Sequence, residues 1–260
     1  MKKTRLDILD TSFIIPVRID STDRLENLLF VTNFLLKNFN TNIFILEVDT
    51  RNNKILQKLL NKNIKYNFHE DFDSVFYRTK YINTMINTVD TPYIAVWDAD
   101  VIVKVDQIYT AISHLRKEQT DFIYPYNGTM LNVPQCVKSI FFKRPDINIL
   151  EKFSKGFRAM YGSAVGGAFI ADKKKYIESG MENENFYGWG LEDGERILRW
   201  QKLKYRIEHI EGILYHLDHS RGGNSHFHNK SQKSIKWREK IRISNLSEDL
   251  LKREISMWNV

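Results

Sequence analysis

The sequence predicts an α/β fold built on a mainly parallel central sheet. Between residues 12 and 124, apolar runs of strand length alternate with stretches whose apolar residues recur at helical spacing. Acids follow three of those runs: Asp20, Asp49, and Asp98 with Asp100. Open parallel sheets bind ligands outside the carboxyl ends of their strands, so these acids are expected along one rim.

Taken in order, residues 12–17 (SFIIPV) read as a buried strand. Leu25, Leu28, Leu29, Thr32, Leu35 and Leu36 make a helical stripe over 22–37. Strands are expected at 42–48, 64–68, 93–97 and 122–124, and helices at 53–61, 76–89 and 105–117. Later, 164–171 reads as a strand holding the pair Gly166-Gly167, 192–203 as a helix, and 206–210 and 213–216 as short strands. Residues 220–229, rich in Gly, His, Ser and Asn, read as a loop. Residues 231–258 read as helical, with a break near 244–247. No internal repeat, low-complexity tract or linker interrupts the chain. The expected organisation is one catalytic-size domain over 1–230, with a basic helical extension, 231–260, packed on it.

The 260 residues carry a net charge of +7 and a pI near 9.2, which favours an anionic partner: nucleic acid, a nucleotide diphosphate or an acidic membrane surface. With Cys136 the sole cysteine, no intramolecular disulfide can form. The polar N-terminus is not followed by a signal peptide, and 12–17 is too short to span a bilayer. A cytoplasmic protein is expected, peripheral at most to the inner face of a membrane.

Four segments could carry chemistry. In an extended segment residues i and i+2 share a side, so Asp98 and Asp100 can face one ligand. They read either as oxygen ligands for a hard divalent cation or as a polar turn capping the next helix. The segment Tyr187-Gly188-Trp189-Gly190-Leu191-Glu192-Asp193 offers a tight turn, a flat ring for a sugar, and two acids at a helix start. One of those acids could accept a proton from a hydroxyl; a helix cap with an anchoring Trp is the alternative. His216 ends a strand and could ligate the same metal, or be structural; His219, His226 and His228 follow without the spacing of a closed zinc site. Arg221 could pair with a diphosphate. Phe76 to Asn83 opens a helix with Arg78 and Lys80, which either reach phosphates at the rim or are ordinary surface cations. The basic stretch beyond Lys230, with Ile235, Trp237 and Ile241, reads as an amphipathic helix touching anionic lipid or acceptor, or as a solvated helix packed on the core.

In this order the segments resemble the GT-A fold glycosyltransferases, and among them the β-1,4-galactosyltransferase group and its bacterial relatives, over roughly residues 12–221. Pro16-Val17-Arg18 resembles the family's Pro-Phe-Arg strand end. Phe76, Arg78, Lys80 and Asn83 resemble its Phe-x-Arg-x-Lys-x-x-Asn helix start. Asp98-Ala99-Asp100 resembles its Asp-x-Asp, Gly166-Gly167 its glycine pair, and Gly188 to Asp193 its Gly-Trp-Gly-x-Glu-Asp. Two departures stand out. The animal enzymes have a Met ligand three residues before the metal-binding His; with His216 as that His, the position holds Ile213. The acid that follows Glu-Asp is replaced by Gly194.

The resemblance implies a GT-A (Rossmann-like, nucleotide-diphospho-sugar transferase) fold. It also implies an inverting transfer of a hexose or N-acetylhexosamine, galactose-type, from a UDP-sugar to a glycan or lipid-linked acceptor in polysaccharide biosynthesis. By it, Asp193 is the general base and Glu192 assists. Asp100, His216 and Asp98 hold Mn²⁺ or Mg²⁺. Pro16, Val17, Arg18, Glu47, Asp49, Phe76, Arg78, Asn83, Asp98, Gly167, Trp189 and Arg221 bind the nucleotide sugar, and Tyr187, Trp189 and Glu192 the acceptor. A nucleotidyl- or phosphotransferase on the same architecture is the rival. A non-catalytic nucleic-acid-binding protein leaves the clustered acids unexplained, since they repel phosphate when no metal is bound, so no nucleic-acid partner is expected.

Overall fold

The computed structural model describes residues 4–227 and 229–258. Its first half alternates as expected: β1 (Leu6–Val17), α1 (Thr22–Asn38), β2 (Phe39–Asp49), α2 (Ile55–Leu59), β3 (Lys65–Glu70), α3 (Arg78–Ile86), β4 (Tyr93–Trp97), β5 (Val101–Ile102), α4 (Val105–Arg116) and β6 (Phe122–Tyr124). There follow β7 (Met130–Val133), α5 (Gln135–Lys143), α6 (Ile147–Phe153), β8 (Arg158–Tyr161), β9 (Ala168–Asp172), α7 (Lys173–Glu178), α8 (Glu192–Lys202), β10 (Ile207–His209) and β11 (Leu214–Leu217). Two helices, α9 (Lys230–Asn245) and α10 (Glu248–Ser256), close the described chain. None of the described helices is long and apolar enough to cross a membrane.

The seven-stranded sheet runs β10-β6-β9-β4-β1-β2-β3. Strands β1 to β4 pair parallel, whereas β9 is antiparallel to both β4 and β6. Ser12 to Val17 are buried without a break, as a strand covered on both faces must be. The chain steps from β1 outward to β2 and β3, then returns to lay β4 on β1's other side. A crevice opens at such a reversal, and here it opens beyond Val17 and Trp97.

The differences from expectation have local causes. The helix expected at 53–61 shrinks to Ile55–Leu59 because Asn52 and Asn53 accept the N–H groups of Lys54 and Ile55 at 2.8 and 2.9 Å, holding turns instead. Gly166 and Gly167 stand outside β9, with Gly167 at φ +80°. Residues 125–163 give no long periodic run, yet they supply most of a second sheet, β5-β11-β7-β8, that forms the other side of the crevice. The helical break comes at Leu246 and Ser247, where Ser247 caps α10 by accepting the Leu250 N–H.

Beneath the crevice, Trp200 of α8 is fully buried and stacks on Phe122 at 3.8 Å between ring centres. Its indole N–H donates to Ser179 Oγ at 3.1 Å. Trp200→Ala should remove about 3–5 kcal/mol of stability, read as a lower midpoint in a denaturant titration.

Candidate active site

A cleft of about 470 Å³ lies at the carboxyl ends of β1 and β4. Residues Pro16 to Arg18, Phe76, Arg78, Asp98, Asp100, Gly167, Trp189, Glu192, Asp193, His216 and Arg221 all line it.

The turn after β4 is shaped by its backbone. Trp97 Nε1 donates to the Val101 carbonyl at 3.2 Å, and the Asp98 N–H donates to Gly167 at 2.8 Å. Strand β5 then pairs antiparallel with β11, His216 opposite Val101, and the Leu217 N–H donates to the Asp100 carbonyl at 2.7 Å. This register brings Asp100 beside His216. The adjoining turn adds His219, whose Nε2 lies 3.1 Å from Asp100 Oδ2, while His216 Nε2 lies 3.9 Å from Oδ1. One ligand atom from each of the three lies within 4.8 Å of the others.

The far sides of both imidazoles are occupied. His216 Nδ1 faces Asn132 Oδ1 at 2.9 Å, and that amide is oriented by its own donation to Asp218 at 3.0 Å. His219 Nδ1 faces the Ser220 carbonyl at 2.8 Å. An acceptor at Nδ1 holds the proton there and leaves the Nε2 lone pair for a metal. Burial lowers the pKa of His216, favouring the neutral ligand form. Burial alone would raise that of Asp100, but His216, His219 and Arg24 outweigh it and hold the carboxyl well below its usual range. The donor set fits a divalent cation.

Asp98 is not part of this group. Its Oδ1 accepts from Arg78 Nη2 at 2.6 Å, and the third residue grouped with Asp100 and His216 is His219. His219 was legible from the family spacing: with His219 as the metal-binding His, the position three residues earlier is His216 and not Ile213. Arg78 Nη1 is buried with no partner among the described residues and lines the same cleft.

Asp193, which lines the same cleft, stands in the first turn of α8. Arg196, itself 1% exposed, donates to Asp193 Oδ1 at 2.6 Å and grips both oxygens of Glu182 at 3.0 Å. A β-carbon on residue 166 would collide with Asp193 Oδ2, so the bare Gly166 backbone makes room for that oxygen at the cleft wall. Glu192 Oε2 is buried with no partner among the described residues. Burial, then the neighbouring Asp193, pushes the Glu192 carboxyl up to about 7 despite Arg78. Gly188, Gly190 and Leu191 all have positive φ, and Trp189 meets Phe227 edge-on at 5.3 Å.

Four expected residues lie off the cleft. Glu47 is buried under β3 and accepts from Tyr66 at 2.6 Å. The Asp49 carboxylate accepts from the Thr50 N–H at 2.7 Å. Asn83 clasps residues 182–184, donating to the Glu182 carbonyl and accepting its N–H, both at 2.9 Å. Tyr187 packs edge-on against Tyr77 and donates to Asp73, bracing the loop before α3. None of the four lines the cleft, and the contacts each makes tie it to the fold. Of the His-rich loop, His226 is exposed and His228 lies outside the described residues.

Residues 149–220 match the family model described as the N-terminal domain of galactosyltransferase. The catalytic domain of Drosophila β1,4-galactosyltransferase 7, solved with xylobiose, is similar in fold, with TM-score 0.55, 17% identity, and 89% of this chain and 79% of that chain covered. A structure of GalNAc-T7 with UDP, GalNAc and Mn²⁺ aligns with TM-score 0.58 and 11% identity, over 91% of this chain and 49% of that one, so the chain spans about half its length. No curated protein matches by sequence. The solved structures show the GT-A type of α/β fold, and together with the family match they support a glycosyltransferase enzyme.

Two outcomes test the geometry. Asn132→Ala frees the His216 ring and should weaken Mn²⁺ binding about 10- to 100-fold in a calorimetric titration. A carboxyl whose pKa rises on folding, as Glu192's does from 4.5 to about 7, weakens the fold as pH climbs through that window. Glu192→Gln should therefore raise the melting temperature relative to the parent more at pH 8 than at pH 5.

Proposed function

We propose that the chain is a metal-dependent inverting glycosyltransferase. It moves a hexose or N-acetylhexosamine, galactose-type, from a UDP-sugar to a hydroxyl of a glycan or lipid-linked acceptor. One observation carries this reading: the Asp100–His216–His219 group and Asp193 line the same cleft. The GalNAc-T7 structure holding UDP, GalNAc and Mn²⁺ supports the donor class and Mn²⁺ as the ion.

Asp100, His216 and His219 would hold the ion, which when bound neutralises charge on the departing diphosphate. Arg78, through its unpartnered Nη1, and Arg221 add positive charge at the same end. Pro16 to Arg18 border the nucleotide. Trp189 offers its face to a sugar ring. Asp193 Oδ2 takes the proton of the acceptor hydroxyl as that oxygen bonds to the anomeric carbon; the bond from that carbon to UDP breaks on the opposite face, and UDP leaves with the electron pair. Arg196 holds Asp193 in place by the other oxygen.

Metal-dependent UDP release from one of a panel of UDP-sugars is the expected activity, and release of free diphosphate would instead mean nucleotidyl transfer. Asp193→Asn should lower kcat about 10²–10⁴-fold while UDP binding persists. Transfer at the parent rate would remove Asp193 from the base position.

A further inference from the structure

The cleft wall beside Asp193 contains a lysine that the transfer reaction described above does not use. Lys240 projects from α9 into the cleft. Its Nζ lies 2.7 Å from where a β-carbon of residue 194 would stand, and Gly194 leaves that space open. In the galactosyltransferase pattern an acid follows the Glu-Asp pair. Here its place is taken by a glycine, and the space by an ammonium group from another helix.

Lys240 is not the counter-ion of the nearby acids. Asp193 is paired with Arg196 at 2.6 Å and Glu195 with Arg199 at 2.8 Å. Lys236, one turn earlier, donates to the Trp189 carbonyl at 2.6 Å and so braces the Gly-Trp-Gly turn. Among the described residues Lys240 makes no hydrogen bond or ion pair; its contact is the Trp237 ring, 5.6 Å away. A cation at a cleft wall with its hydrogen-bonding capacity unspent is a receptor for an anion.

We infer that the acceptor carries an anionic group, phosphate or carboxylate, close to the hydroxyl that is glycosylated, and that Lys240 receives it. The inference rests on the transferase reading, because Asp193 marks the acceptor side only if it is the base. Lys240 then selects the acceptor: it binds the charge that identifies the correct sugar while Asp193 takes the proton from its hydroxyl.

The test uses the full chain loaded with UDP and Mn²⁺ and measures binding of glucose, glucuronate and glucose 6-phosphate by calorimetry. At least one charged sugar should bind about tenfold or more tightly than glucose, the size of one charge-assisted hydrogen bond. Glucuronate and the phosphate ester separate carboxylate from phosphate as the source of charge. The preference should vanish in Lys240→Ala and survive in Lys240→Arg. Gly194→Asp, which supplies Lys240 with an internal partner, should also abolish it. Equal binding of charged and neutral sugars, or a preference unchanged in Lys240→Ala, overturns the inference. Absence of Mn²⁺-dependent UDP binding in the parent protein would instead overturn the transferase reading itself.

Discussion

The site depends first on the buried guanidinium of Arg196. It lies against Phe169 and Trp200, 4.3 and 5.4 Å from their ring centres. From there it reaches Glu182, Asp193 and the Val165 carbonyl. An ion this buried is costly unless its partners are fixed, and removing Glu182 would leave Asp193 as its one remaining paired carboxylate. The helix bearing Asp193, the backbone before the glycine pair and the Glu182 turn are thus held to one another. The aromatic stack on Phe122 ties the same helix to the sheet.

The Asp100–His216–His219 group depends on strand register. Asp100 and His219 are far apart in sequence, and neither belongs to the seven-stranded sheet. Two residue pairs between β5 and β11 bring them together, and β7 then supplies Asn132 to orient the first imidazole. The second sheet is small, but it and the turn after it place both imidazoles and the amide that orients one of them. The large sheet contributes the acid-bearing turn that meets them.

Much of the fold was legible because β1, β2 and β4 each hold a continuous apolar run, Phe13 to Val17, Ile43 to Leu46 and Tyr93 to Trp97. Strands Tyr93–Trp97 and Phe122–Tyr124 fall where the sequence puts them. Of the second sheet only β11 was legible, as the strand expected at 213–216; β5, β7 and β8, of two to four residues, leave too short a pattern, and their partners are distant in the chain. Asp100 on a turn, Asp193 at a helix start and His216 on a strand do reach the cleft. Glu47, Asn83 and Tyr187 do not, because a polar side chain in sequence looks the same whether it faces a ligand or a backbone carbonyl. Only coordinates show that Asn83 is spent on Glu182.

Arg18 shows what such spending permits. Its guanidinium donates to the carbonyls of Val48, Asp73 and Ser74 at 3.1, 2.8 and 3.1 Å. Every amino acid has a carbonyl, so this grip makes no demand on which residues occupy the segment it holds. The stretch before α3 can therefore drift in sequence while keeping its path past the Arg18 end of the cleft. Related chains could bear quite different side chains there, and so differ in what they admit, over an unchanged main-chain frame.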